Sequence, residues 1–410
     1  MANSLSSLNP TFWAREAQKS LFVENKAMAI ANTTLRNLVA GEGDTVKRVI
    51  VSYPASSTYT PGSDITSNAI TGSNESLSIA TWLASRVVID DTERAQSIIE
   101  LGQNISHKMM MDHNNRIEQA VMAEVTNSIW TLDDGNVGGT AGNNATVNTS
   151  TVPQFFVAAD TKLDAIDAPK AGRTAVVGGH FLGQLKLQQA ARPGSVIADG
   201  VNTRGIVTTL FGWDILYSNN LPYTAVLTIT VNPTTADTIT IAGVKFTFNT
   251  TIGTTVPGTV KVADTAANTV INLTAALNAV DTSITDATTT GFLKLASEDI
   301  FLLRDKRRIA AVASGTNTII TLTGYGDIVV ASSFTSGSNA WSGQRQDALF
   351  LVAGSIDIIV QIPPKIEVIR DNKQFADNVK SLLGFGKKTY ADGARQMVRV
   401  KINAGTSDWV

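Results

Sequence analysis

LSIATWLASRVVIDDTERAQSIIELGQNISHKMMMDHNNRIEQAVMAEVTNSI, residues Leu77 to Ile129, changes period in its middle. Leu77 to Asp90 is crowded with β-branched and aromatic residues, as a strand requires. Asp90-Asp91-Thr92-Glu93 then supplies capping oxygens, and first-turn acids that suit the positive end of a helix. Ile98, Leu101, Ile105, Met109, Ile117, Val121, Val125 and Ile129 recur at three- and four-residue steps. The spacing predicts a single helix from Asp91 to about Ile129 with one apolar stripe, a rod of roughly 57 Å at 1.5 Å per residue. Gly102 and Asn104 weaken it locally, and the Gly- and Asn-rich run from Asp133 to Asn148 ends it in a loop.

Upstream, Thr45 to Tyr53 (TVKRVIVSY) reads as a strand. Pro54 to Ser76 turns to Ser, Thr, Gly, Asn and Pro without a charged cluster, so Thr45 to Asp90 is expected to form a long hairpin whose tip needs a partner surface. Met1 to Ala40 is polar and weakly helical from Ala14 to Val39, as suits an arm that packs on something else; Gly41-Glu42-Gly43-Asp44 breaks it off.

Downstream, Val152 to Pro222 alternates short helices and strands: Pro153 to Ile166 helical, Thr174 to Val177 a strand, His180 to Ala191 helical, Thr203 to Tyr217 a strand pair around Gly212. Tyr223 to Ala340 is crowded with Thr, Val and Ile in short alternating runs, with one helical break from Ala266 to Val280, and reads as a separate β-rich domain. Strands are expected again over Ala348 to Ile362, Lys365 to Arg370 and Gln396 to Ile402. The outer parts thus form one α+β unit interrupted by a domain insertion at a surface loop.

At 410 residues, two or three packed domains are expected. Hydrophobic residues make up 43% and charged residues 17%, which excludes a disordered chain. The formal charge of -2 provides no global basic field to drive nucleic-acid or anionic-membrane binding. With Cys 0, disulfides, thiolate nucleophiles and cysteine metal sites are excluded. The start lacks the basic and apolar regions of a secretory signal, and no apolar run approaches the ~20 residues of a membrane helix, so a protein made and kept in the cytoplasm, or in something assembled there, is expected.

No catalytic motif survives inspection. Gly384-Phe-Gly-Lys-Lys388 has Ser381 where a phosphate-binding loop needs its first Gly, and neither a dinucleotide-binding glycine pattern nor a G-x-S-x-G elbow occurs. His107 and His113 fall on different helix faces, so they cannot jointly hold a metal; solvated or boundary positions are expected for both, and a helix start for His180. The acid pairs Asp90-Asp91, Asp133-Asp134 and Glu298-Asp299 read as caps and solubilising groups. Arg304-Asp-Lys-Arg-Arg308, the densest charge cluster, reads either as a solvated turn flank or as an intersubunit or nucleic-acid contact. No catalytic residue, cofactor or metal is therefore expected.

The order of arm, charge-poor hairpin, capped long helix, α+β domain and terminal strands resembles the major capsid proteins of tailed bacteriophages with the Hong Kong 97 fold. Gly172-Arg-Thr-Ala-Val-Val177, Gly205 to Pro222 (GIVTTLFGWDILYSNNLP) and Phe385-Gly-Lys-Lys388 look like recurring segments of that family. The resemblance implies an N-terminal arm over residues 1–44, an extended E-loop over 45–90, a spine helix and peripheral domain over 91–151, and an axial domain over 152–222. It further implies a β-rich, barrel-like insertion domain over 223–340, as in some short-tailed phages, and an axial return with peripheral strands over 341–410.

The implied function is an icosahedral shell of hexamers and pentamers around non-specifically packaged double-stranded DNA, with a portal and no membrane, in a virion assembled in the bacterial cytoplasm. Tyr59, Pro61, Ile65 and Ile70 at the E-loop tip are the expected inter-subunit contacts. Some relatives join an E-loop Lys to a neighbour's Asn; here no Lys lies between Lys47 and Lys108, so noncovalent contacts are expected. Only about forty residues precede the first E-loop strand, which leads to the expectation of a separate scaffolding protein. The competing expectation is a tail-associated or surface adhesion protein whose β insert binds a receptor.

Overall fold

Thr45–Val51 forms strand β1 and Gly72–Ser78 forms β2, paired antiparallel with Thr45 opposite Ser78 and Val51 opposite Gly72. The computed structural model describes residues 26–35, 45–52, 54, 56, 58–65, 67, 69–96, 101–190, 209–252, 256–284, 291–335, 338–371 and 374–404. The expected single strand from Leu77 to Asp90 is two: Ser78 is the last residue opposite β1, and β3 (Thr81–Asp90) starts a new ladder with Thr81 opposite Phe385.

Asp90 caps the following turn as expected, its Oδ1 accepting the Thr92 amide at 2.9 Å and hydroxyl at 2.6 Å. Helical residues run over Asp91–Gln96 and then through helix α1 (Leu101–Ala123), with residues 97–100 outside the described set. The helix is shorter than its stripe predicts. Its last turn tightens to 3₁₀ geometry over Glu124–Asn127, Ser128 is extended, and Ile129 is exposed rather than on the stripe. Ile129 donates its amide to Ala394, and Trp130–Leu132 pairs as a short parallel strand instead.

Helix α2 (Val152–Asp164), strand β4 (Arg173–Val177), helix α3 (Gly179–Ala190), strand β5 (Trp213–Tyr217) and strand β6 (Pro222–Thr228) follow close to their expected places. Residues 203–208 of the expected strand pair lie outside the described residues; Thr209–Leu210 pairs back onto β5. Then come β7 (Thr238–Ile241), β8 (Val244–Asn249), β9 (Thr259–Lys261), helix α4 (Ala266–Asn278), β10 (Ala310–Ala313), β11 (Ile319–Tyr325) and β12 (Val330–Ser333). Thr265 caps α4 by accepting the Asn268 amide at 3.2 Å.

The last strands are β13 (Ala340–Val352), β14 (Ile356–Arg370), β15 (Ala376–Lys388) and β16 (Met397–Asn403). The expected strand from Ala348 to Ile362 is broken by a reversal at Gly354, whose φ of 92° suits glycine, and Lys365 to Arg370 belongs to the same strand as Ile356. Ser381 to Lys388, which lacks the first Gly of a phosphate loop, is extended β15, so its amides are spent on a ladder.

The chain divides into two units: Met1–Leu21, Ala31–His113 and Ile356–Tyr390 in the first; Phe22–Ile30, Asn114–Ser355 and Ala391–Val410 in the second. In the first, Ala31–Asn32, β14, β15 and β3 form a four-stranded sheet, and β1–β2 forms a separate two-stranded ribbon. The described part of the expected arm is docked on its own chain, Asn32 donating to the Asp357 carboxylate at 2.7 Å. Ile89, Met109 and Val379 make a small core between sheet and helix. His113, expected at a solvated or boundary position, is buried there because its Nε2 meets Ser381 Oγ at 2.8 Å.

In the second unit a nine-stranded sheet runs in the order β10-β11-β6-β13-β4-β5 and Thr209–Leu210, with β16 also on β13 and Trp130–Leu132 on β16. One core gathers Phe155, Phe156, Phe181, Trp213 and Phe350, with the Phe350 ring centroid 5.2 Å from those of Phe156 and Trp213. A second core, with Phe246, Phe248, Leu273 and Leu322, is drawn from 223–340 except for Ala404, and β9, β8, β7 and β12 of that stretch form a sheet of their own. The stretch is not bounded by a break in pairing, however. β6 and β11 extend the body's sheet through β13, which pairs with β6 over Ala340 to Gln346 and with β4 over Leu349 to Val352.

Candidate functional site

The β1–β2 ribbon is anchored at its base. Leu77 and Ile79 pack with Ile359 and Tyr390, Val46 lies against them, and the Arg48 guanidinium sits 5.3 Å from the Tyr390 ring centroid. Beyond that base Val49 and Val51 are exposed, Val49 to 63%, while Ile50 on the other face is half-buried. Ser52 and Thr71 close the ribbon's far end, the Ser52 amide donating to the Thr71 carbonyl at 2.8 Å and the Thr71 amide to Ser52 Oγ at 3.0 Å. An isolated two-stranded hairpin is marginal in water, so a ribbon with Val49 and Val51 exposed suits a surface that something else covers.

The connector carries the residues singled out from sequence. Thr60-Pro61-Gly62-Ser63 is a tight turn: Ser63 donates both its amide, at 3.1 Å, and its hydroxyl, at 2.6 Å, to the Thr60 carbonyl, and Gly62 has φ 89°. Pro and Gly at its second and third positions are what a type II turn demands. Tyr59, Ile65 and Ile70 are 60%, 78% and 68% exposed, and Pro61 is exposed too. All four stand on one connector; none is drawn into a core.

The sheet of the same unit adds apolar surface that sequence reasoning missed. Trp82 is exposed and lies over Gly384, so closely that a Cβ there would come within 2.4 Å of Trp82 Cζ3. Leu382 and Ile369 are exposed on the same sheet, and Phe375, at the β14–β15 turn, is 81% exposed. That turn is braced: Arg370 Nη1 donates to Asp91 Oδ1 at 2.6 Å and to Asp377 at 3.2 Å, and Phe375's carbonyl accepts the Asp91 amide at 2.9 Å. These carboxylates raise the Arg370 guanidinium above its ordinary pKa. The signal available in sequence was the alternation in LSIATWLASRVV, which sets Trp82 on the face opposite Leu83.

Groups that could do chemistry are committed to structure. Ser381 and His113 are within hydrogen-bond reach, but both are buried and Ser381 Oγ also meets Ser85 Oγ at 2.5 Å, so no substrate reaches the pair. Arg173, buried in the second unit, donates to Asp160 and, at 2.5 Å, to Asp164, and lies 5.9 Å from the Trp213 ring centroid; its bond holds the Asp164 carboxyl below the usual range. Among the described residues, no group of three or more His, Asp or Glu is placed to hold a metal, and no helix is long and apolar enough to cross a membrane.

Of the acid pairs, Asp133-Asp134 does cap a loop: Asp133 accepts the Gly142 amide at 2.7 Å and Asp134 the Thr140 amide at 2.8 Å, while Glu298-Asp299 lies in the first turn of a short helix that has no side-chain cap. The basic run divides. Arg304 pairs with Asp281 at 2.6 Å and Asp305 at 2.8 Å at the surface, while Arg307 turns inward to Asn219. It is therefore not a continuous basic patch.

No protein-family model and no curated protein matches the chain. Among solved structures, that of Mycobacterium phage Che8 superposes with a TM-score of 0.56 at 13% identity, covering 97% of this chain and 98% of that one. The capsid structure of the cyanophage P-SCSP1u superposes with a TM-score of 0.50 at 12% identity, covering 97% and 94%. The chain therefore shares, over nearly its whole length, the fold of a phage capsid structure.

Proposed function

We propose that this chain is the major capsid protein of a tailed phage, a structural rather than catalytic subunit that self-assembles into an icosahedral shell around double-stranded DNA. The observation that carries the reading is the connector of the β1–β2 ribbon, on which Tyr59, Ile65 and Ile70 stand exposed, in a fold shared with a capsid structure. Burying Tyr59, Ile65 and Ile70 on a neighbouring copy gains roughly 1.5–3 kcal/mol each, which repeated around a closed shell is a substantial drive. The finer reading takes the Hong Kong 97 plan: arm over 1–44, E-loop over 45–90, peripheral domain over 91–151, axial domain over 152–222 and 341–410, and a barrel-like insertion over 223–340. The contacts are noncovalent, through E-loop and arm; hexamers and pentamers, a separate scaffolding protein and a portal complete the particle, which is built in the bacterial cytoplasm.

Negative-stain microscopy and sedimentation of the purified chain, alone and with its scaffolding partner, test this. Closed particles running as one monomer band in denaturing gels are expected. The double variant Ile65→Asp, Ile70→Asp is expected to stay folded by circular dichroism yet form no closed particles. A chain that remains a monomer at high concentration under both conditions refutes the reading. Normal particles from the double variant remove the ribbon tip from the contact.

A further inference from the structure

The stretch from Tyr223 to Ala340 has its own sheet and a core to which the rest of the chain adds one buried residue, Ala404, so on packing alone it could open almost independently of the body that carries it. Where it meets that body, half-buried polar groups are arranged differently from a surface contact. Asn219, on the connection between β5 and β6, uses one side-chain oxygen to accept both the Arg307 guanidinium at 2.9 Å and the Asp327 amide at 3.0 Å. The two Asp327 oxygens then reach opposite ways, one accepting Gln346 Nε2 of β13 at 2.7 Å and the other the Gly179 amide at the start of α3 at 3.2 Å. The Gly326 amide donates to the Leu221 carbonyl at 2.7 Å. Gln119 of α1 donates to the Lys306 carbonyl at 3.1 Å.

The fit leaves no slack. A Cβ on Gly178 would fall 2.2 Å from Gln346 Oε1, and one on Gly179 would fall 2.6 Å from Asp327 Oδ2. Burial depresses the Arg307 pKa and the Asp327 carboxylate opposes that shift, so losing the carboxylate leaves a desolvated cation.

We infer that Arg307, Asn219, Asp327, Gln346 and the amide of Gly179 form a latch that makes the inserted stretch and the body of its unit unfold as one cooperative element. The latch adds to the shared strand β13: Asp327, just past the end of β11, is tied to α3, just past the end of β4, so β6 and β11 are held by more than their pairing. The inference does not depend on the proposed function.

Hydrogen exchange of the full-length chain in rising denaturant tests it. In the wild type, the slowest amides of β7–β8 and of β4 are expected to share one opening reaction, with equal protection and equal denaturant slope. In Asp327→Ala, β7–β8 amides are expected to exchange at least tenfold faster relative to β4, with Asp327→Asn, which keeps an acceptor, in between. Unequal slopes in the wild type overturn the latch without needing any variant to fold. So does an Asp327→Ala chain whose ratio of the two rates is unchanged.

Discussion

Glu118 is an acid enclosed by its own fold. It is 1% exposed, accepts the Ser218 hydroxyl at 2.5 Å, and neighbours Asn220 and Lys26. Burial pushes its carboxyl up from the ordinary 4.5, against the opposing pull of those hydrogen bonds. The sign of the linkage follows. Above 4.5 the unfolded chain has released a proton that the folded chain keeps, so this group lowers stability as pH rises from about 4.5 through its raised value. Glu118→Gln keeps an oxygen for Ser218 and removes the titration. Its melting temperature relative to wild type is expected to climb as pH rises from about 4.5 through the raised value; a difference that stays constant across that rise refutes the assignment. Asp164 works the other way: its lowered carboxyl contributes stability present above its unfolded pKa and lost as pH falls through the folded value. Neither environment was legible in sequence: Ser218 reaches Glu118 from a hundred residues along the chain, and Arg173 reaches Asp164 only because the turn between α2 and β4 folds its buried side chain back onto the helix.

Sheet edges show how elements are closed. β10 pairs only with β11 among the described strands, yet its free side is not open: Asn278, at the end of α4, donates to the Ala311 carbonyl at 2.8 Å and accepts the Ala311 amide at 2.9 Å. One amide side chain thus stands in for a neighbouring strand, a guard against edge-to-edge pairing. Asn278→Ala strips both bonds from Ala311, with an expected cost of about 1–3 kcal/mol. The unfolding midpoint in urea should fall accordingly, and the exchange rate of the Ala311 amide should rise; an unchanged Ala311 rate shows that Asn278 does not seal the edge. The β-branched runs of β4, β6, β8, β11 and β16 announced themselves in sequence, because alternation and composition agree there. β15 did not. Its Gly384 and Gly386 lower strand propensity, and their reason lies elsewhere in the chain: the Trp82 ring presses on one, and the Ser78 carbonyl would lie 2.4 Å from a Cβ on the other.

At the scale of the whole molecule, order along the chain was readable and partition was not. Hairpin, capped helix, α+β stretch and Thr-rich stretch occur in the expected succession, but the two units are each assembled from separated pieces, with β14 and β15 returning beside β3 after more than two hundred intervening residues. Composition shifts mark where a chain changes style; they do not mark a strand such as β13 that serves two sheet regions at once. Such a strand concentrates consequence in its residues. Phe350 is fully buried on it, and its ring meets Phe156, Phe181 and Trp213. Phe350→Ala removes the ring at the centre of that cluster, at an expected cost of about 3–5 kcal/mol. The first unit has its own cores, around Ile89, Met109 and Val379 and around Leu77, Ile359 and Tyr390, none of which includes Phe350. Exchange protection should therefore collapse together in β4, β13 and β16 of the second unit while β3 and β15 of the first keep theirs. Equal losses in both units would mean that the chain unfolds as one body, and that division into two cores carries no energetic boundary.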